Sequence, residues 1–505
     1  MQMSCQKLAL AGRLVGSDIN FEFARTLILA TATNLTHTAN LHALTSAQLV
    51  EGYRKKEISP VDAASAAFAQ IALWEPKVNA MYLVQRDQAM TQAKASEARW
   101  LAGAPISSLD GVPITLKENL YTKGDPAPIG TGAMSLAPKE ADSPVAARVR
   151  EAGMVMLGKT TMPDFGMLSA GQSSVHGITR SAWRRDRNTS GSSSGAAAAV
   201  VAGYGPMHVG TDIGGSVRLP ATHGGFFALK PSAGRVPVSP PFMGRVAGPM
   251  TRTVDDSARL LNIITGPDNR DYMNIPYEAF DYSKAITSVS PDLLKGLRIG
   301  YLANMNVGLD VNPEVAAAVA QAASVFAAAG AKIEPMNSFL TADMLEGMCR
   351  FFEVRSFADV SVMPAEQRAK ILPFVLEWCT YRAGSFTGVQ VMQAYNQVLA
   401  MREAAVNAVA QYDFVLSPVS PIPAYEAELP SPNNDPHNAL PHIAFTVAYN
   451  MSENPASSTN WSYTADGMPI GVQIVGQRFD DVGVMKMSRV VELLRPQQRE
   501  WPQPW

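Results

Sequence analysis

Cysteine, net charge and long apolar runs are scarce in this chain of 505 residues. The three cysteines, Cys5, Cys349 and Cys379, are odd in number and far apart, which predicts reduced thiols in a cytoplasmic protein and excludes a disulfide framework. The net charge is only −2, from 42 basic and 44 acidic residues, which disfavours nucleic acid or an anionic membrane as the main partner. No charge-free apolar run reaches the length of about 18 residues that a transmembrane helix needs, so none is predicted.

The first 40 residues are predicted to be an N-terminal extension. Leu8–Val15 is apolar but is interrupted by Arg13, whereas a signal peptide needs about 7–15 continuous apolar residues. Ala30–Ala32 could serve as a cleavage site, so a signal peptide stays the alternative. Residues 41–505 are predicted to form one domain, because no linker or repeat divides them and a hydrophobic content of 47% supports a large core.

Short apolar strands separated by capped helices predict an α/β fold. Capping signals mark two helix starts, at Thr45 and at Ser59, and the second helix is expected to end at Pro76. Residues 336–410 are mostly helical and rich in Met and Phe, so most of these side chains are expected in the core and some along an apolar substrate pocket. Buried strands are predicted at residues 112–116, 154–157, 297–302, 414–416 and 470–475.

The stretch from Arg187 to Arg218 holds two clusters of Ser and Gly on either side of an Ala/Val run. This pattern predicts a loop, a buried helix, a buried strand and a second loop, so the clusters Ser190–Gly195 and Gly214–Ser216 can meet in space. Glycine lets backbone N–H groups approach a ligand, and serine supplies hydroxyls, so the two loops are a candidate nucleophile site and oxyanion hole. Lys117 directly follows the predicted strand 112–116, and burial there would lower its pKa and let it act as a base.

Three short motifs match well-known signatures. Gly153–Thr160 spells the phosphate-loop pattern, but its middle residues are a predicted strand, and Asp164–Gly166 matches a kinase triplet without kinase context. Both are interpreted as chance matches. Gly191–Gly195 fits the nucleophile elbow, which would make Ser193 the nucleophile of an α/β-hydrolase-type esterase. The elbow is the weaker hypothesis, because the preceding Trp183–Asn188 is not a buried strand and no histidine lies in a recognisable motif.

Several separated motifs together resemble the amidase signature family. They are Gly111–Asn119, Ser190–Ala199, Gly210–Arg218, Gly248–Arg252 and Gly467–Gly476, in the family's order and spacing. The resemblance extends over nearly the whole chain after the predicted extension. It implies a single large α/β domain with a central mixed, twisted β-sheet surrounded by α-helices. It also implies an amide hydrolase similar to aryl acylamidases and broad-specificity amidases, with no metal and no cofactor.

Carried over by position, the resemblance implies a Ser–cis-Ser–Lys triad. Ser216 would be the nucleophile that forms the acyl-enzyme, and Lys117 would be the base. Ser192, which would follow a cis peptide bond, would relay the proton between them. The oxyanion hole would consist of the backbone N–H groups of Ile213, Gly214, Gly215 and Ser216.

Further residues are expected to support these groups. Asp212 and Arg218 flank the nucleophile and are interpreted as an ion pair or hydrogen-bond hub that holds the loop. Thr211 and Ser193 are expected to belong to the same support. The segment Ser190–Ala196 departs from the family's usual Gly-Gly-Ser-Ser-Gly-Gly-Ser at three positions, but the proposed triad is complete.

The triad defines a reaction class and leaves the substrate open. The Met- and Phe-rich region favours apolar or aryl amides, with esters and carbamates (urethanase activity) as further expected substrates. Alternatives are an amidotransferase-type subunit, which the lack of a basic tail disfavours, and a non-catalytic subunit, which the complete triad disfavours. The expected partner is a small-molecule substrate, with neither nucleic acid nor membrane; a homodimer is left open.

Overall fold

An eleven-stranded mixed β-sheet runs through the part of the chain that the computed structural model describes, residues 41–505. Residues 42–505 form one compact unit. The predicted extension 1–40, with its signal-peptide alternative and Cys5, lies outside the described residues. Within residues 41–505, no helix combines the length and the apolar character needed to cross a membrane.

The secondary structure alternates strands and helices along the chain. In chain order the strands are β1 Met81–Val84, β2 Pro113–Lys117, β3 Val155–Thr160, β4 Gln172–Ser173, β5 Gly177–Ile178, β6 Met207–Asp212, β7 Phe227–Lys230, β8 Val246–Thr251, β9 Arg298–Tyr301, β10 Lys332–Pro335, β11 Phe414–Pro418, β12 Ala456–Tyr463 and β13 Pro469–Gly476. The α-helices are α1 Ser46–Lys55, α2 Pro60–Val78, α3 Arg86–Leu101, α4 Pro144–Glu151, α5 Ser194–Ala202, α6 Arg218–Gly224, α7 Val254–Ile264, α8 Tyr282–Thr287, α9 Pro313–Ala328, α10 Ala342–Ser361, α11 Ala365–Arg368, α12 Pro373–Thr380, α13 Gly388–Val409, α14 Ala444–Met451 and α15 Asp481–Leu494.

The large sheet combines parallel and antiparallel pairs. Its strand order is β1-β3-β2-β6-β8-β7-β12-β13-β11-β9-β10. The pairs β3–β2, β2–β6, β11–β9 and β9–β10 are parallel, and the other neighbours are antiparallel. Strands β4 and β5 form a separate antiparallel pair. The predicted mixed sheet within an α/β domain is therefore confirmed.

Both faces of the sheet are covered by helices. On β3, Met156 packs into an apolar cluster with α7, α9 and α15, while Val155 and Leu157 belong to a cluster with α2 and α5. A third cluster joins α10, α12, α13 and α14. Since successive side chains of a strand point to opposite faces, burial on both sides explains the apolar first half of β3 and the nearly continuous apolar run of β13.

Capping signals located the first helices correctly, but one helix end was wrongly predicted. The Thr45 and Ser59 side chains each form a capping box at the starts of α1 and α2. Helix α2 does not end at Pro76 but continues to Val78. A proline in the last turn removes one backbone donor only, and burial of Val78 together with the bond from Asn79 N–H to the Glu75 carbonyl offsets that loss.

Candidate active site

A cavity of about 750 Å³, open mouth included, lies where the chain leaves β2 and β6. These two strands are adjacent and parallel, so their carboxyl ends meet at one edge of the sheet. Lys117 is the last residue of β2, and the loop that carries Ser216 follows β6. The loop before α5 reaches the same place, because the Ser193 N–H donates to the Ser216 carbonyl at 3.3 Å. The two Ser/Gly clusters meet in space, as the sequence predicts.

Lys117 and Ser192 are joined directly. The Lys117 Nζ donates to the Ser192 Oγ at 2.8 Å. The lysine side chain is 0% exposed. Burial lowers the pKa of Lys117 to about 7, with a further lowering by the Arg245 charge and an opposing effect of Asp212. A large fraction of this amine is therefore neutral near pH 7 and able to accept a proton.

Ser192 and Ser216 line the same cavity. The peptide bond between Gly191 and Ser192 is cis, as the family resemblance implies. Ser216 is 8% exposed and lies in the loop between β6 and α6, so the cavity gives access to it. The structure thus brings together all three side chains of the predicted triad at one end of the sheet.

The four predicted oxyanion donors are not equivalent. The Gly215 N–H donates to the Asp212 Oδ1 at 2.7 Å and is therefore not free for a substrate. The N–H groups of Ile213, Gly214 and Ser216 bond to no acceptor within residues 41–505. Gly215 has a φ of 126°, and a Cβ atom there would lie 2.5 Å from the Thr446 Oγ1, so the loop requires glycine at this position.

Asp212 and Arg218 form the predicted ion pair, which is fully buried. The Arg218 Nε and Nη2 donate to the two carboxylate oxygens of Asp212, each at 3.1 Å. Arg218 also donates to the Gln473 Oε1 at 2.9 Å and to the Asn450 Oδ1 at 2.6 Å. Burial favours the neutral acid, but the Arg218 guanidinium and the Asn450 amide hold the pKa of Asp212 well below its usual range. This hub fixes the loop that carries Ser216 to β13 and α14.

Ser193 holds the backbone of β6. Its Oγ donates to the Thr211 carbonyl at 3.2 Å and accepts the Thr211 N–H at 3.3 Å. The hydroxyl has no base beside it, contrary to the elbow hypothesis. His208 is bound to Thr115 in the core, where burial lowers its pKa to about 3. Sequence reasoning did not single out Asn119, which lines the cavity and donates to the Thr211 Oγ1 at 3.0 Å.

The segment that departs from the family pattern keeps a compact loop. Ser190 has a φ of 62°, a left-handed conformation that favours glycine. Its N–H donates to the Asn188 Oδ1 at 2.8 Å, which supports the turn. Ser194 and Ala196 lie in the first turn of α5 and are fully buried.

The cavity walls combine apolar and polar side chains in similar measure. The predicted substrate-pocket region 336–410 contributes Phe352 and Trp378 together with Arg355 and Ser356. Most of its other Met and Phe side chains pack in the third apolar cluster, as interpreted from the sequence. A second lining segment, which sequence reasoning missed, overlaps the chance kinase triplet and consists of Phe165, Gly166, Met167, Leu168 and Ser169. No group of three or more His, Cys, Asp or Glu side chains within residues 41–505 is arranged to hold a metal ion.

Sequence comparisons find relatives along nearly the whole length of this chain. A model of the family described as Amidase matches residues 62–485. An acylamidase from Rhodococcus erythropolis is 30% identical over 90% of this chain and 96% of the relative. One subunit of the glutamyl-tRNA(Gln) amidotransferase from Myxococcus xanthus is 31% identical over 89% of this chain and 96% of the relative.

Structural comparisons extend the similarity to the whole fold. The crystal structure of a bacterial aryl acylamidase of the amidase signature family superposes with a TM-score of 0.82 at 27% identity, covering 90% of this chain and 96% of the other. The structure of a 6-aminohexanoate cyclic dimer hydrolase has a TM-score of 0.79 at 26% identity, covering 92% and 99%. The matching family model, the relatives along nearly the full length and the shared fold show that this chain is a member of the amidase signature family of hydrolases.

Proposed function

We propose that this protein hydrolyses carboxylic amides through an acyl-enzyme on Ser216. The observation that carries the proposal is the 2.8 Å hydrogen bond from Lys117 to Ser192, at the wall of the cavity that Ser216 also lines. A serine hydroxyl is a weak nucleophile unless a neighbouring base removes its proton. A buried lysine with a pKa of about 7 has the protonation state that this task requires.

In the proposed mechanism, the Ser216 Oγ attacks the amide carbonyl while its proton passes to Ser192, whose own proton passes to Lys117. The negative oxygen of the tetrahedral intermediate is received by the free N–H groups of the loop, Ile213 and Gly214 among them. Each strong donor of this kind contributes about 3–4 kcal/mol to the transition state. Protonated Lys117 then returns the proton to the leaving amine through Ser192. Water cleaves the acyl-enzyme by the same relay in reverse.

The substrates we propose carry an apolar or aryl group next to the amide. The cavity offers aromatic and aliphatic side chains for such a group, among them Phe352, Trp378 and Ile443. The similarity to an acylamidase and to an aryl acylamidase structure supports the same class. Esters and carbamates also present an electrophilic carbonyl carbon to the Ser216 hydroxyl, so we expect them to be cleaved as well.

An amidotransferase subunit is the second candidate, because the Myxococcus xanthus relative carries that name. The two candidates differ in what the isolated chain does. A free-standing amidase hydrolyses 4-nitroacetanilide without any partner, and we expect this result. Absence of anilide hydrolysis, with glutamine hydrolysis that begins only after a partner protein is added, would favour the amidotransferase.

Labelling with a fluorophosphonate probe, which reacts with activated serines, tests the assignment of the triad. We expect the wild type to be labelled, and Ser216→Ala and Lys117→Ala to lose both labelling and amide hydrolysis. Ser193→Ala is the matched control for the serine, and Lys230→Met is the control for the lysine. Lys230 is also fully buried, with a pKa that burial lowers to about 7, but its Nζ donates to the Pro231 carbonyl at 2.9 Å.

Three results would contradict the assignment. Full activity in Ser216→Ala or Lys117→Ala would exclude the proposed relay. Labelling that survives Ser216→Ala but not Ser193→Ala would favour the elbow esterase. A wild type that stays unlabelled while a known amidase is labelled would favour a role without catalysis.

A further inference from the structure

Two arginines line the same cavity as Ser192 and Ser216: Arg245, just before β8, and Arg355, on α10. From this pair we infer that the enzyme prefers amides that carry a carboxylate in addition to their apolar or aryl part. The inference rests on the proposed function and names the substrate class for that site. It would make Arg245 and Arg355 specificity-determining residues.

Neither guanidinium forms an ion pair with a carboxylate in the described part of the chain. The Arg245 Nη1 donates to the Pro240 carbonyl at 3.1 Å. The Arg355 guanidinium carbon lies 4.5 Å from the centre of the Phe242 ring. Both contacts orient the guanidinium groups, and neither supplies a negative charge. The charge of Asp359, one turn beyond Arg355 on α10, opposes the lowering of the Arg355 pKa by burial, but this carboxylate is exposed and does not line the cavity.

The cavity supplies no acidic partner either. Asp212 is the one acidic residue among the described residues that line it, and its two oxygens are bound by Arg218. Burial lowers the pKa of both Arg245 and Arg355, and the charge of Arg355 lowers that of Arg245 further. Partly buried like charges are costly without a counter-charge, so an anionic substrate group would gain from two oriented donors.

The rest of the cavity restricts the kind of anion. Part of its wall is aromatic or aliphatic, with Phe165, Phe352 and Trp378 among the lining residues, and the nucleophile Ser216 lies in the same space. A small inorganic anion would leave this apolar surface exposed to water. A molecule with an amide, an apolar or aryl portion and a terminal carboxylate matches all three features, and a dicarboxylic acid monoanilide is such a molecule.

Two pairs of substrates test the inference and locate the anion. In the first pair, glutaryl p-nitroanilide is compared with 5-methylhexanoyl p-nitroanilide, in which an isopropyl group replaces the carboxylate on the acyl side. In the second pair, 4-acetamidobenzoate is compared with 4-isopropylacetanilide, which places the difference on the amine side. The readout is the ratio of kcat/KM between the anionic and the neutral substrate. We expect a ratio of at least about tenfold for one pair in the wild type, the gain of a charge-assisted hydrogen bond.

Substitutions assign the preference to the two arginines. We expect Arg355→Gln and Arg245→Gln each to lower the ratio by about tenfold or more, and Arg355→Lys to restore part of it. Arg350→Gln is the matched control, since Arg350 lies on the same helix α10 but pairs with Glu346 at 2.8 Å, outside the cavity. Its ratio should equal that of the wild type. The assays are run at about pH 9, where Lys117 is neutral and its own titration does not enter the ratio.

Binding to an inactive variant separates this inference from the proposed function. Calorimetry measures the affinity of Ser216→Ala for glutaryl p-nitroanilide, 4-acetamidobenzoate and their neutral partners, so no turnover is needed. Tighter binding of an anionic member, lost when Arg355→Gln is added, would support the inference even if no amide were hydrolysed. Hydrolysis of the neutral anilides with no anionic preference in either pair, or a preference unchanged in both arginine variants, would overturn the inference and leave the proposed function intact.

Discussion

Acidification below pH 7 should switch off amide hydrolysis by protonating Lys117. The base must be neutral to accept a proton from Ser192, and burial lowers its pKa to about 7. The neutral fraction is then about nine tenths at pH 8, about a half at pH 7 and about a tenth at pH 6. At an ordinary lysine pKa of 10.5 only about one molecule in 3,000 would have a neutral amine at pH 7. The burial of this one side chain therefore supplies about a thousandfold more active base.

The assay is kcat/KM for a p-nitroanilide from pH 5.5 to 9.5, together with the rate of fluorophosphonate labelling. Both should rise with a slope of one up to about pH 7 and then level off. The buried histidines do not cause this rise, because burial lowers the pKa of His208 and His442 to about 3 and that of His223 to about 4. A profile that is flat from pH 6 to 9, or that rises only above pH 9, would refute the role of Lys117.

Two variants connect the rise to the residues around Lys117. The Arg245 charge lowers the pKa of Lys117, so Arg245→Gln should move the rising part of the profile to higher pH. Lys230→Met removes another buried lysine with a pKa of about 7 and should leave the profile in place. If the profile moved with Lys230→Met and not with Arg245→Gln, the titrating group would be Lys230, and the role of Lys117 would be refuted.

Three further predictions concern the support of the site. Ser193→Ala should cost about 1 kcal/mol in the free energy of unfolding by urea, yet keep fluorophosphonate labelling; loss of labelling would contradict a purely structural role. Asp212→Ala leaves Arg218 buried without its counter-charge and should cost about 3–5 kcal/mol in the same measurement, whereas Asp186→Ala, which breaks an exposed pair, should cost less than about 1 kcal/mol. Because burial lowers the pKa of Lys230 to about 7, unfolding takes up a proton between about pH 7 and 10. The free energy of unfolding of the wild type, relative to that of Lys230→Met, should therefore increase as pH rises from 7 to 10. Thermal unfolding of both proteins at pH 7 and at pH 10 measures this difference.

The candidate site was predictable where one residue and its neighbours in sequence determine the environment. An apolar strand that ends in lysine predicted a buried amine at residue 117, and β2 ends at that residue. The Ser/Gly clusters at Ser190–Gly195 and Gly214–Ser216 predicted loops that meet, because the helix and strand between them return the chain to the same edge. The resemblance to a known family added the role of each hydroxyl.

Long-range partners could not be predicted in this way. Arg245 and Arg355 look like solvated surface residues in the sequence, and only the packing of α10 beside the loop before β8 brings both to the cavity. Strand β12 has no apolar run, since several of its buried side chains are polar; one of them, Ser457, accepts a hydrogen bond from the Ser488 hydroxyl at 2.7 Å. The use of the Gly215 N–H by Asp212 is likewise a matter of loop geometry that no spacing encodes.

The hub around Arg218 has a consequence for the synthesis of the protein. The side chains that hold this arginine come from Asp212, Asn450 and Gln473, so the loop that carries Ser216 has all of these anchors only when the last tenth of the chain is present. A nascent chain on the ribosome already contains Lys117, Ser192 and Ser216 long before Gln473 emerges. We therefore expect hydrolytic activity to begin only after the C-terminal strands have docked.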